Sequence, residues 1–337
     1  MRRSWTRVAS LSAMVGLFVY GAVACIDDDT TPATSGTDAG ADAGAVKPLD
    51  SGGTTQDSGG QDAGPTDAGD AGADAGPLKV TLKFKAKVGT ADFKCNTPYT
   101  GQGTKNDTVQ ARDLRFFVQD VKLIDNVGAE VSVTLDERSP WQTSKVALLD
   151  FEDKTGLCAD GNADLNDIVT GTVPAGTYTG IVFTNGVPEE LNHLDIADPK
   201  TPAPLTSPTL SWGWLLGRLF IKAEVASTTS DGGLGLLHLG STGCVNDAGP
   251  GGDPDYDKGP TGDCSNPNRN LVKLTGFNPA TNAVVIDVKT LFSQTDLSVS
   301  SQCHSGGTAC PPLFSSVGLD YTDGGHRLST APAFRVE

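Results

Sequence analysis

The sequence predicts an all-β fold, an antiparallel β-sandwich with long disulfide-stapled loops. Three observations carry that expectation. Strand-like segments follow one another from residue 78 onward, and no segment sustains a helical period. Cysteines are also present in an even number across that region.

The segment "VTLKFKAKV" (80–88) alternates apolar and polar residues over its whole length, the pattern of a half-buried strand. "LRFFVQDVKLI" (114–124) is longer, and its Phe116–Phe117 pair shifts the phase, which suggests a bulge. "EVSVTL", "VALLDFE", "GTYTGIVFTNGV", "RLFIKAEV", "LVKLTGF" and "AVVIDV" follow, separated by Gly, Pro, Asn and Asp. "VKTLFSQTD" (288–296) and "PPLFSSVGL" (311–319) are the best candidates for short helices. Strands at this spacing without intervening helices indicate a sandwich. The loops 158–167, 188–209 and 241–268 are too long for hairpin turns, and loops of that length are usually functional or cross-linked.

The strands are preceded by two segments of different character. Residues 1–25 combine Arg2, Arg3 and Arg7 with the apolar run "VASLSAMVGLFVYGAVA" and end in Cys25. The run is short for a membrane span and reads as a signal peptide. Small residues before the cysteine, "AVAC", look like a lipoprotein cleavage site, with Cys25 lipidated and Ala22 in place of the usual leucine. An ordinary secretory signal is the alternative. Residues 26–77 repeat Asp-Ala-Gly, with eleven aspartates, one lysine and almost no large apolar side chain. Such a segment cannot bury enough surface to offset the entropy of ordering, and its charges keep it extended. It reads as a tether, with residues 78–337 as one domain on an outer-membrane anchor facing either periplasm or exterior.

The chain carries a formal charge of −16. Much of that lies in the tether, and the domain is still acidic, which argues against a nucleic-acid partner. Beyond Cys25 there are six cysteines, and an even number in an exported chain points to disulfides. The local pairs Cys303–Cys310 and Cys244–Cys264 are the first choice, with Cys95 and Cys158 remaining. No C-x-x-C spacing favours metal thiolates instead.

Catalytic signatures are missing: there is no H-E-x-x-H, phosphate-binding Gly-Lys loop, dinucleotide fingerprint or G-x-S-x-G elbow. The expectation is a protein that is not an enzyme. Asp160, Asp164 and Asp167 in "DGNADLND" offer oxygen ligands, but the spacing is not that of a calcium loop, and a solvated turn explains them better. Four histidines remain: His193, His238, His304 and His326. Imidazole is a common ligand for copper and zinc, although each histidine alone is ordinary. In "LSWGWLLGRLFIK" (210–222), read as a strand, Trp212 and Trp214 point to one face, as a plug at the end of the sandwich or as part of a site with His193 and His238.

The blocks "LLDFEDKTGLCADGNADLNDIVTGTVPAGTYTGIVFTNGVPEELNHLD", "LSWGWLLGRLFIK", "LHLGSTGC" and "CHSGGTACPPLFSSVGL" occur in order across most of residues 80–320. Together they resemble the MbnP-like copper proteins, also called metallo-mystery-pair four-Cys proteins. The resemblance implies an exported β-sandwich that binds copper. It also implies a di-haem MauG-like (MbnH-like) peroxidase partner that oxidises a tryptophan to kynurenine. Histidines and the modified tryptophan would hold the metal. On this chain "LNH" gives His193 and "HLGSTGC" gives His238. "WGW" supplies Trp212 or Trp214, with the choice open. His304 stands where relatives often carry methionine and is a third candidate ligand. Leu216 and Arg218 depart from the family pattern, which bears on partner docking. A structural or adhesive surface lipoprotein without metal is the competing class.

Overall fold

The computed structural model describes residues 76–229, 233–246, 255–322 and 326–337. Cys25, the signal segment and nearly all of the tether lie outside the described residues. Two large sheets face each other. In the first, the strands run in the order Phe334–Val336, Ala283–Asp287, Leu78–Val88, Ile168–Val173, Thr134–Leu135. In the second, the order is Leu271–Thr275, Tyr178–Asn185, Asp107–Asp125, Ile221–Ser227, Leu234–Leu239, Ser301–Cys303. Most neighbours are antiparallel. Two pairs depart from that expectation: Leu78–Val88 beside Ala283–Asp287, and Leu234–Leu239 beside Ser301–Cys303, are parallel.

The alternation of 80–88 does what the sequence suggests. Val80, Leu82, Phe84, Ala86 and Val88 are buried between the sheets. Phe84, Phe116, Phe183 and Phe334 meet there edge to face, with centroids 5.6–6.3 Å apart. Both short helices form, as Val288–Leu291 and Cys310–Val317.

The Phe116–Phe117 pair is not a bulge. Phe116 pairs with Leu149 and Phe117 with Leu148 in unbroken register. The two rings alternate normally across a strand that is buried on both faces. Phe116 enters the inter-sheet core, and Phe117 joins an outer cluster with Leu148, Leu205, Leu210, Leu219 and Phe220. The irregularity lies further along, between Gln119 and Lys122, where Asp120 takes φ 49°.

The tryptophan segment is also not a strand. Extended structure begins only at Ile221. Residues 211–218 form a tight turn closed by a bridge between Ser211 and Arg218. Within it the Trp212 N–H donates to Gly217 O at 3.0 Å, and the Gly217 N–H donates to Gly213 O at 3.0 Å. Gly213 and Gly217 sit at φ 97° and 76°, where glycine avoids the strain of a side chain. The two indoles therefore do not share a strand face.

Three disulfides join Cys95 to Cys158, Cys244 to Cys264 and Cys303 to Cys310. The 188–209 loop lies over the outer cluster and is held by Arg218, which is fully buried. Its guanidinium donates to the carbonyls of Leu205 at 2.8 Å, Asn192 at 3.0 Å and Leu194 at 2.7 Å.

Candidate metal centre

The outer face of the second sheet carries a buried ladder of charge. In the Ile221–Ser227 strand, Ile221, Ala223 and Val225 point to the core, so Lys222 and Glu224 take the opposite face. Register sets Lys222 between Arg115 and His238, and Glu224 between Asp113 and Leu236. Lys222 Nζ reaches Asp113 at 3.0 Å, Asp160 at 2.6 Å and Glu224 at 3.4 Å. Burial works against its ammonium, but these carboxylates outweigh it and raise the pKa above the ordinary value. Asp113, Asp160 and Glu224 thus cluster like metal ligands, but the ammonium of Lys222 already fills the place of a cation.

Arg115 makes a two-pronged contact with Asp113 and donates to Thr209 Oγ1 at 3.2 Å. Beside it lie Asp150 and Glu152, exposed by only 2% and 0%. Burial pushes each carboxyl up to about 7, against the pull of Arg115.

His238 Nε2 is 2.7 Å from Glu224 Oε1. A carboxylate only accepts, so Nε2 carries the proton and the free lone pair of the neutral ring is on Nδ1. Burial pushes the Glu224 carboxyl up, but His238 and Lys222 prevail and hold it at about 2. His304 lies edge-on to His238, with ring centroids 4.8 Å apart. Its Nε2 stands 3.4 Å from Gln302 Oε1. Although His304 is exposed on its outer side, desolvation of its inner edge and then His238 lower its pKa, which favours the neutral, metal-binding ring.

His193 closes the short helix Glu189–Asn192. Its Nδ1 donates to the backbone carbonyl of Trp214 at 3.1 Å, which leaves the lone pair on Nε2. That nitrogen faces Asn192 Nδ2 at 2.9 Å, Cys264 Sγ at 3.4 Å and the carboxylate of Glu189 at 3.5 Å. Asn192 cannot turn away freely, because its Oδ1 accepts from the Arg218 N–H at 2.9 Å.

The two indoles complete the picture. Trp212 is half-buried and packs on the outer cluster. Its ring edge crosses Gly240, where a Cβ would come within 2.8 Å of Cζ3. Trp214 is 39% exposed and borders a groove of about 330 Å³ with Leu194, Ile196 and Tyr256. One turn therefore reaches toward both histidine groups: the Trp214 carbonyl meets His193, and the Trp212 ring lies against Gly240, two residues along the chain from His238.

The MbnP family model matches residues 77–305. The chain belongs to the MbnP family. Among solved structures it is similar to MbnP from Methylosinus trichosporium, with 26% identity and a TM-score of 0.65. That match covers 78% of this chain and 99% of the other. No curated protein matches it.

On the MbnP fold of this chain, the residues expected at the site fall into two groups. His238 and His304 are together, and His193 is with Trp214. Among the described residues no hydrogen bond or ring contact joins His193 to His238. His238 lies within the Leu234–Leu239 strand. Asp160 serves Lys222, while Asp164 and Asp167 are exposed, as a solvated turn requires. His326 falls in the two-residue strand His326–Arg327. Sequence reasoning missed Glu224, Lys222, Asp113, Arg115 and Asn192. The signal available was "IKAEV", whose polar positions share a face with His238.

Proposed function

We propose that this MbnP-family protein is a copper-binding envelope protein, lipid-anchored through Cys25 and held off the outer membrane by the acidic tether. In this reading Trp214 is oxidised to kynurenine by a di-haem MauG-like peroxidase, and the protein serves copper homeostasis or delivery without being an enzyme itself. The observation that carries it is the turn at 211–218, which links His193 to the neighbourhood of His238 and His304.

The residues suit the metal. His238 and His304 offer imidazole nitrogens side by side, and imidazole suits copper. Glu224 behind His238 orients the ring, as outer partners of metal-bound histidines commonly do. Indole has an N–H donor and no accessible lone pair, whereas kynurenine carries an aryl amine and a ketone. Trp214 is the better substrate because a partner protein reaches an exposed ring, while Trp212 is packed against the outer cluster.

The test is copper titration of the modified and unmodified chains and of His193→Ala and His238→Ala. The reading predicts tighter binding after modification and weakened binding in both variants. Equal affinity throughout would rule it out.

A further inference from the structure

We infer that Cys244, Cys264 and His193 are a latent Cys2His site for Cu(I), opened when a dithiol reduces the Cys244–Cys264 disulfide. One nitrogen of His193 and the two sulfurs already lie within 4.8 Å of one another. His193 Nδ1 is committed to the Trp214 carbonyl, so the lone pair on Nε2 is the one directed at Cys264 Sγ, 3.4 Å away. Metal–sulfur and metal–nitrogen bonds of roughly 2.0–2.3 Å need ligand atoms about 3.5–4 Å apart. Nε2 and the Cys264 sulfur already stand at about that separation, and the two sulfurs, bonded to each other in the disulfide, must separate on reduction.

The backbone keeps the cysteines adjacent without the sulfur–sulfur bond. The Thr242 N–H donates to Asn266 O at 2.9 Å, and the Asn266 N–H returns to Thr242 O at 3.0 Å. On the other side the Thr261 N–H donates to Val245 O at 2.9 Å. These bonds flank the pair, so the two thiols remain side by side after reduction. Leu215 and Leu216 pack on them and keep the site dry. This pair is also the least buried of the three disulfides. Cys244 and Cys264 are 8% and 5% exposed, whereas the other four disulfide cysteines are at 0–1%.

The dithiol supplies two electrons and two protons and leaves as a cyclic disulfide, while the Cys244–Cys264 bond becomes two thiols. On binding the ion the thiols release their protons to solvent. Two thiolates and one imidazole form a soft, low-coordinate set, which selects Cu(I) over harder ions. Asn192 Nδ2, the present donor to Nε2, must give way, which also breaks the hold of the Arg218 N–H on Asn192 Oδ1.

The site needs no modified tryptophan, so it is tested on full-length protein made without a di-haem partner. After reduction by dithiothreitol and anaerobic desalting, Cu(I) is offered from a chromophoric chelator. The reduced protein is expected to take one more Cu(I) per chain than the oxidised form. Cys244→Ser/Cys264→Ser loses that equivalent while retaining the other two disulfides as controls. In the wild type, bound Cu(I) is expected to shield Cys244 and Cys264 from iodoacetamide, read by peptide mass spectrometry. An extra equivalent that persists in the double variant, or unshielded alkylation of both cysteines, overturns the proposal. Neither result touches the kynurenine reading, which concerns oxidised, modified protein.

Discussion

Trp214 accepts a hydrogen bond from His193 on its backbone carbonyl, at 3.1 Å. The contact belongs to the main chain and not to the indole, so the side chain can change without loosening the histidine. Trp214→Phe is therefore expected to leave stability within about 0.5 kcal/mol of wild type, as for other exposed positions. Trp212→Ala, by contrast, strips a ring from the outer cluster and is expected to cost about 2 kcal/mol or more. Urea denaturation separates the two. Equal losses would mean that the indoles share one packing role.

Gly240 gives a sharper probe of the same turn. A Cβ there would stand 2.8 Å from both Trp212 Cζ3 and the Arg218 carbonyl. The backbone oxygen cannot move aside cheaply, so Gly240→Ala is expected to destabilise by roughly 1–3 kcal/mol. Thermal unfolding should register this as a clear drop in Tm.

Arg218 satisfies three carbonyls of the 188–209 loop from a fully buried position. Burial lowers its pKa to about 10, yet the group stays charged at neutral pH. Lysine cannot span the three acceptors at once. Arg218→Lys is expected to cost about 2 kcal/mol by leaving buried carbonyls unmade, and to speed amide exchange in 188–209. Unchanged exchange there would show that the loop is held by its apolar contacts alone.

Two sets of buried carboxyls give opposite pH signatures. Asp150 and Glu152 have folded pKa values raised to about 7, so their favourable contribution is full below about pH 4 and is lost as pH rises through 7. Glu224, depressed to about 2, contributes above its unfolded value of 4.5 and loses that as pH falls toward 2. Between pH 5 and 8 the first pair dominates, and Tm is expected to decline. Glu152→Gln should flatten this decline and be more stable than wild type at pH 8, by on the order of 1–2 kcal/mol. A parallel decline in the variant would assign the effect elsewhere.

The sandwich was legible because alternation in 80–88 and buried runs such as "AVVID" report directly on a core. Two of the disulfides followed from short spacings, and Cys95–Cys158, 63 residues apart, was the pair that remained. The charged ladder was hidden for a physical reason: Lys222 and Glu224 occupy positions that alternation assigns to solvent, and only the loops folded over the outer face bury them. "SWGW" misled in the same way. Its alternation suits a strand, but Gly213 and Gly217 permit the left-handed backbone that closes a turn instead. His193 and His304 belong to loops whose course depends on Arg218 and on the Cys303–Cys310 bond, neither of which a local pattern encodes.

The central claim is that Trp214 becomes a copper ligand. It is tested most directly by peptide mass spectrometry of the 212–214 region in copper-loaded protein isolated from its native host. The account predicts a gain of one oxygen and a loss of one carbon on Trp214, with Trp212 unchanged. Stoichiometric copper with both tryptophans intact would contradict it.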